Sequence, residues 1–139
     1  MTELDSLYQK NILALAKIGQ SSTRLENPEF SAVVKNPVCG DQVTIDVSFL
    51  SGQTIIGADV RGCALCEAAT GLILESAHDI NRDQAKTLKD HVRAWLIGQS
   101  DHVHLDRLEN FAPVKVFDSR IDCVLLPFQA LAKCVEQDD

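Results

Sequence analysis

Polar and apolar residues alternate in the centre of the chain, and this alternation predicts a small sheet. Apolar residues occupy every second position from 43 to 49, which is the period of a strand with one buried face. A second alternating run at 56–60 follows a turn at 50–53 that contains a glycine, so the two runs form an antiparallel hairpin. A short apolar segment at 30–35 supplies a third strand. We therefore expect a three-stranded antiparallel sheet.

Segments with helical periodicity precede and follow the predicted strands along the chain. Apolar residues recur at spacings of three, four and seven between residues 4 and 18, and again from 65 to about 78. A third helix has its apolar face between 85 and 96 and ends at Gly98. These patterns predict one helix before the sheet and two directly after it.

The C-terminal part of the chain predicts one more helix after an irregular segment. Between 99 and 119 the pattern is weak and allows one or two helical turns before Pro113. The last helix is expected to run from Cys123 towards Val135. Pro127 then falls in its first turn, where a proline removes no helical hydrogen bond.

These elements together predict an α+β fold in which helices pack on the small antiparallel sheet. The chain has 139 residues, a size typical of one domain. It contains no internal repeat, low-complexity tract or linker. We therefore expect a single domain over residues 1–139, with helices at its N- and C-terminal ends.

Composition narrows the classes of function. Apolar residues make up 45% of the chain and charged residues 24%, which is typical of a globular protein. The net charge of −7 repels phosphate backbones, so nucleic acid is not an expected partner. The longest apolar run near the N-terminus, residues 12–18, contains Lys17 and is too short to span a bilayer. We expect neither a membrane partner nor export, and we assign the protein to the cytoplasm.

The five cysteines are the candidate functional residues: Cys39, Cys63, Cys66, Cys123 and Cys134. In a reducing cytoplasm, cysteines far apart in sequence more often bind metal or react than form disulfides, although many are only small buried hydrophobes. Cys39 and Asp41 precede the first long strand and Cys63 follows the second, so the hairpin brings them together. Gly40 can turn the two side chains out of the core with a positive φ or a bulge.

Three thiolates and one carboxylate form a tetrahedral set suited to zinc or to iron with bridging sulfide. Cys123 completes this set if it lies at the start of the last helix. A helix N-terminus lowers the pKa of a thiol, and we expect Cys63 and Cys123 both to benefit. Cys134 lies three helical turns beyond Cys123 and is expected in the core.

Three short motifs resemble those of the scaffold family of iron–sulfur cluster assembly, which comprises the IscU, NifU N-terminal and SufU proteins. The motifs are Asn-Pro-Val-Cys-Gly-Asp at 36–41, Gly-Cys-Ala-Leu at 62–65, and Cys123 before a C-terminal helix. The resemblance covers nearly the whole chain from about residue 4. The interval of 60 residues between Cys63 and Cys123, with Arg120 three positions before Cys123, is most similar to the SufU branch.

The resemblance implies a SufE/NifU-like fold and a set of functional residues. Cys39, Asp41, Cys63 and Cys123 are the implied ligands of zinc or a nascent 2Fe–2S cluster, and Cys123 is the implied sulfur acceptor. A cysteine desulfurase and apo-proteins that accept clusters are the implied partners.

Three residues near the ligands are candidates for supporting roles. Arg120 is a candidate partner for the acidic ligand or a thiolate. Asp122 departs from the family, which has His or Lys there, and Cys66 stands where Ser is common. Cys66 also completes a Cys-x-x-Cys with Cys63, which is compatible with disulfide redox chemistry or with a buried thiol beside the ligands.

Three functions fit these residues. The leading hypothesis is a non-enzymatic scaffold that accepts sulfur and assembles or relays iron–sulfur clusters. The second is a zinc-dependent sulfurtransferase in which Cys123 accepts the persulfide sulfur. The third is a domain with a purely structural zinc site. Such sites usually stabilise domains much smaller than this one.

Overall fold

A computed structural model describes residues 3–136, with side chains from residue 8 onwards. The capping box that Thr2 and Asp5 predict for the first helix lies outside the described side chains. The helices are α1 Glu3–Gln20, α2 Ala64–Glu75, α3 Arg82–Leu96 and α4 Asp118–Glu136, and the strands are β1 Phe30–Lys35, β2 Gln42–Leu50 and β3 Gln53–Arg61. Short 3-10 segments cover Ala77–Asp79 and Leu108–Val116.

The three strands form one antiparallel sheet in the order β1-β2-β3. The turn between β2 and β3 places Ser51 at φ 52° and Gly52 at φ 79°, and two successive positive φ angles match the twist of a tight hairpin. Val43 pairs with Val60 across this hairpin, and Gln42 pairs with Arg61 at its open end. The predicted sheet and the α+β fold class are confirmed.

The helices cover one face of the sheet and build the core. α4 packs on β1 and β2, while α2 packs between α4 and α1. Gly71 lets the backbones of α1 and α2 approach closely, because a side chain there would collide with the Leu15 carbonyl. Cys134 is fully buried on α4, and its thiol donates to the Ile45 carbonyl at 3.2 Å. Its predicted place in the core is confirmed.

The opposite face of β2 is also buried, which the alternating pattern does not predict. Thr44, Asp46 and Ser48 are each less than 9% exposed. The segment between α1 and β1 covers them: Arg24 binds Asp46 with two hydrogen bonds of 2.6 and 3.0 Å, and the Glu29 N–H donates to the Ser48 hydroxyl. The polar alternation therefore marks a second covered face rather than a solvent-exposed one.

The central helices follow their sequence signals closely. α3 begins after Asn81, which forms a reciprocal capping box with Gln84. It ends before Gly98, whose φ is 82°. α2 ends at Glu75, three residues earlier than its periodicity predicts, and the chain continues into the 3-10 turn Ala77–Asp79.

The prediction for the last helix is wrong at its start. α4 begins at Asp118 instead of Cys123, because the buried stripe of its core-facing side already includes Ile121. Pro127 therefore lies in the interior of the helix and not in its first turn. The 3-10 segment Leu108–Val116 likewise continues past Pro113.

Within residues 3–136, none of the helices is both long and apolar enough to cross a bilayer.

Candidate metal centre

The loop between β1 and β2 holds Cys39 and Asp41 in different environments. The loop is closed by two backbone hydrogen bonds of 2.8 Å, from the Asn36 N–H to the Asp41 carbonyl and from the Gly40 N–H to the Asn36 carbonyl. Gly40 adopts φ 79°, a conformation that favours glycine. This residue breaks the strand alternation, so Cys39 is exposed while Asp41 is 6% exposed.

Asp41 packs directly over Gly62 at the open end of the β2–β3 hairpin. A Cβ atom at Gly62 would lie 2.7 Å from the Asp41 Cγ and 2.9 Å from its Oδ1. The other carboxylate oxygen, Oδ2, is buried and has no hydrogen-bond partner among the described residues. A buried carboxylate oxygen needs a donor or a cation as a partner, so this geometry fits a metal ligand.

Cys63 follows Gly62 and is the N-cap residue of α2. Its carbonyl accepts a hydrogen bond from the Glu67 N–H at 3.0 Å, which starts the helix. Its side chain is exposed, makes no capping hydrogen bond, and lies close enough to the Cys123 thiol to raise the pKa of that thiol. The hairpin therefore places Cys63 beside the loop that carries Cys39 and Asp41, as the sequence predicts.

Cys123 lies in the second turn of α4, where its partly buried thiol is 3.6 Å from the Ser119 carbonyl. Burial raises the pKa of the Cys123 thiol well above its usual range, and the proximity of Cys63, Cys39 and Asp41 raises it further. The expectation that a helix start lowers the pKa of Cys123 is therefore wrong. A cation among these groups is the charge that would favour the thiolate.

The ligand atoms of Cys39, Asp41 and Cys123 all lie within 4.8 Å of one another. They come from the β1–β2 loop and from α4, and Cys123 lies 82 residues beyond Asp41 in the chain. Ligands of one tetrahedral ion, each about 2.0–2.3 Å from it, are separated by distances of this order. Cys63 lies beside this group, because it lines the same cavity as Cys123. Because its side chain is exposed, Cys63 has room to turn towards the other three.

Cys66 lies beneath these residues in the first turn of α2 and is fully buried. Burial raises the pKa of its thiol far above the usual range, and the next largest causes are Asp41, Cys63, Cys123 and Cys39. Cys66 therefore belongs to the same cluster of groups although its side chain does not reach solvent.

Arg120 and Asp122 are both exposed on α4, close to Cys123 in the sequence. The Arg120 guanidinium lies 4.6 Å from the centre of the Phe117 ring. Asp122 is not among the converging ligand atoms. The supporting roles expected for these two residues stay predictions.

An apolar cavity of about 590 Å³ opens beside the cluster, and the sequence did not predict it. Cys63, Cys123 and Arg120 line it together with apolar residues of α1, of α2 and of the 3-10 segment. The one sequence signal for it is Phe117, which remains 47% exposed just before α4. The cavity gives access to two of the thiols from the solvent side.

Comparison with known proteins finds whole-length similarity. No family model matches the chain. It is 24% identical over 140 residues to the zinc-dependent sulfurtransferase SufU of Bacillus subtilis (strain 168), covering 98% of this chain and 94% of that protein.

Two crystal structures share the fold. The N-terminal part of a nitrogen-fixing NifU-like protein from Brucella abortus is 24% identical, with a TM-score of 0.81 over 98% of this chain and 96% of that one. A protein described as an iron–sulfur cluster assembly scaffold for the SUF system, from Fervidobacterium islandicum AW-1, is 24% identical, with a TM-score of 0.82 over 94% and 97%. The shared fold, the similarity along the whole sequence and the converging cysteine and aspartate side chains support the resemblance to the IscU, NifU N-terminal and SufU-like proteins.

Proposed function

We propose that this protein is a scaffold for iron–sulfur cluster assembly in the reducing cytoplasm. It accepts sulfur from a cysteine desulfurase and iron, assembles or relays a 2Fe–2S cluster, and passes the cluster to apo-proteins. The observation that carries the proposal is the convergence of the Cys39, Asp41 and Cys123 ligand atoms within 4.8 Å, with Cys63 lining the same cavity as Cys123. We assign the four as the ligands and Cys123 as the sulfur acceptor.

The mixed ligand set supports transient binding. Thiolates bind iron and zinc strongly, whereas a carboxylate is a harder and weaker ligand for an iron–sulfur cluster. Asp41 supplies such a ligand at one corner, and its buried Oδ2 faces no protein donor within the described residues. A cluster held in this way can be released, which suits cargo rather than a permanent cofactor.

The cavity supports sulfur delivery to the same residues. It exposes Cys63 and Cys123 to a segment that enters from solvent, and its walls are largely apolar. A partner loop that carries a persulfide can therefore approach Cys123 in a partly water-excluded setting. The Cys123 thiolate then attacks the outer persulfide sulfur, and the partner's cysteine leaves as a thiolate.

A zinc-dependent sulfurtransferase is the second candidate. The whole-length similarity to a protein with that name favours it. Cys39, Asp41 and Cys63 would hold zinc, and Cys123 would accept and pass on the sulfur. A purely structural zinc role has less support, because the hydrophobic core extends through every helix and strand and does not depend on the ligand cluster.

Metal content and absorption spectrum after purification without oxygen separate these functions. A scaffold yields a coloured protein, or one that becomes coloured with iron and sulfide and then transfers the cluster to an apo-ferredoxin. A sulfurtransferase retains zinc, takes up no cluster, and stimulates a cysteine desulfurase through Cys123.

The matched variants are Cys123→Ala and Cys134→Ala. Cys134 is equally a cysteine of α4, but its thiol contacts the Ile45 carbonyl in the core. We expect cluster binding by a scaffold, or stimulation of the desulfurase by a sulfurtransferase, to be lost only in Cys123→Ala. Equal cluster binding and equal stimulation by both variants and the unchanged protein would contradict the role of Cys123.

A further inference from the structure

We infer that Cys63 and Cys66 form a dithiol that reduces delivered sulfur to sulfide on this protein. This inference rests on the proposed function, because the sulfur must first arrive at Cys123. It adds an activity to the scaffold: the chain itself supplies the two electrons that convert persulfide sulfur into the sulfide that a cluster contains.

The first observation is the position of the two cysteines on α2. Cys63 is the exposed N-cap residue, and Cys66 follows three positions later in the first turn, fully buried. Residues three apart on a helix have Cβ atoms about 5–6 Å apart, so a modest movement of the exposed residue brings the sulfurs into disulfide range. An exposed and a buried thiol joined by a Cys-x-x-Cys helix start is a redox-competent arrangement.

The second observation is that Cys63 and Cys123 line the same cavity. The three thiols differ in exposure: Cys63 is exposed, Cys123 is partly buried and Cys66 is fully buried. Cys63 therefore lies between a thiol that shares its cavity and a buried thiol on its own helix. Of the three, Cys123 belongs to the converging ligand atoms, and Cys66 does not.

The chemistry between these thiols balances without an oxidant. In the first step the Cys63 thiolate attacks the outer sulfur of a Cys123 persulfide. A bond forms between these two sulfurs, the bond from the outer sulfur to the Cys123 Sγ breaks, and Cys123 leaves as a thiolate. The sulfur is now a persulfide on Cys63.

In the second step the Cys66 sulfur attacks the Sγ of Cys63. A Cys63–Cys66 disulfide forms, the bond to the outer sulfur breaks, and that sulfur leaves with the Cys66 proton as hydrosulfide. The two cysteine sulfurs give up two electrons and the departing sulfur gains them. A dithiol reductant of the thioredoxin class returns the disulfide to two thiols and opens the next cycle.

The burial of Cys66 fits this role. Its side chain has no solvent-accessible surface, so external thiols and disulfides cannot reach it, and its accessible reaction partner is the residue one turn away. Cys134 provides the contrast, because it is equally buried but its thiol contacts a strand carbonyl.

Anaerobic loading with inorganic polysulfide tests the inference on the full chain. The protein as purified and the protein after treatment with a chelator are each loaded, desalted without reductant, and assayed for released sulfide and for disulfides by peptide mass spectrometry. We expect roughly one sulfide per bound persulfide, together with a Cys63–Cys66 disulfide. Cys66→Ser and Cys66→Ala should keep the persulfide and release little sulfide, whereas Cys134→Ser should behave as the unchanged protein.

The inference is overturned if the Cys66 variants, once shown to carry persulfide, release as much sulfide as the unchanged protein. It is also overturned if the disulfide formed joins other cysteines. Metal content of the same variants keeps this result separate from the proposed function. Loss of sulfide release with normal metal binding by Cys66→Ser supports the inference, whereas absence of persulfide and of metal in every sample contradicts the proposed function itself.

Discussion

The candidate metal centre depends on the absence of a side chain at Gly62 as much as on its ligands. Asp41 occupies the space beside Gly62, where a Cβ would lie 2.7 Å from its Cγ. Substitution Gly62→Ala should therefore push the carboxylate out of position. Displaced support around a ligand commonly costs about 10–100-fold in metal affinity, and we expect a loss in this range by zinc competition titration.

Gly98→Ala is the matched control for this prediction. Gly98 has a positive φ and nothing within 4 Å of its Cβ position, so alanine there strains the backbone after α3 without touching the ligands. It should lower stability and leave zinc affinity unchanged. Equal zinc affinity in both variants would contradict the steric role of Gly62.

Under the proposed function, Asp41 sets how easily a bound cluster leaves the site. In Asp41→Ala the weak oxygen ligand is gone, and thiolates alone hold a reconstituted cluster. We expect transfer to an apo-ferredoxin to slow about tenfold, equivalent to about 1.4 kcal/mol in the barrier. Stopped-flow absorption spectroscopy measures the rate of this transfer. Asp122→Ala, an exposed carboxylate beside Cys123, should transfer at the normal rate, and unchanged kinetics in Asp41→Ala would count against the exchangeable ligand.

At the scale of elements, the Asp46 carboxylate contributes several of the hydrogen bonds that join the segment between α1 and β1 to the sheet. Asp46 on β2 accepts hydrogen bonds from Arg24, from the Ser31 hydroxyl at 2.6 Å and from the Leu25 N–H at 3.0 Å. Burial raises the pKa of Asp46, but these bonds outweigh it, and the pKa lies below its ordinary value of 3.8. The carboxylate is therefore ionised throughout the neutral range.

We expect Asp46→Asn to lower the free energy of unfolding by about 2 kcal/mol at pH 7, the order of a hydrogen bond to a charged group. Because the folded pKa is depressed, this stabilisation is fully present above the unfolded pKa near 3.8 and is lost as pH falls through the folded pKa. Urea unfolding at pH 7 and pH 3 should show the difference shrinking in acid. A constant difference would contradict the prediction.

Asp59→Asn on β3 is the control for Asp46→Asn. The Asp59 carboxylate pairs with Arg61 at 3.5 Å, and both side chains are largely exposed. An exposed ion pair of this kind contributes about 0–1 kcal/mol. The substitution should therefore change stability much less than Asp46→Asn.

The geometry of α4 links Pro127 to Cys123. In a helix each N–H donates to the carbonyl four residues earlier, so Pro127, which has no N–H, leaves the Cys123 carbonyl without that bond. The ring of an interior proline also pushes the preceding turn away. The turn that carries Cys123 is therefore less constrained than the rest of α4, which suits a ligand that also accepts sulfur.

For the whole molecule, the extent of the core sets the response to metal removal. Buried apolar residues from all four helices and all three strands form one cluster that does not need the ligand residues. We expect chelator-treated protein to keep its far-UV circular dichroism and a cooperative thermal transition, with zinc raising Tm only by binding linkage. Loss of helical signal on chelation would instead support the structural zinc hypothesis.

Much of the fold was predictable because its signals are local. The strand limits of β1, the hairpin turn and the cap of α3 follow from residues within a few positions of each other. The local pattern does not place the start of α4, because the burial of Ile121 depends on contacts with the rest of the core. The buried polar face of β2 was missed because an alternating pattern cannot show what covers its second side.

The same distinction between local signals and long-range contacts applies to the candidate site. The sequence by itself determined which thiols and which carboxylate are available, and the hairpin that brings Cys39, Asp41 and Cys63 to one end, since spacing and alternation are properties of neighbouring residues. Only the tertiary structure decided that Cys123 arrives from the second turn of α4, that Asp41 rests on Gly62, and that Cys66 lies buried beneath them. These outcomes depend on how distant elements pack, and packing is set by contacts that no local pattern records.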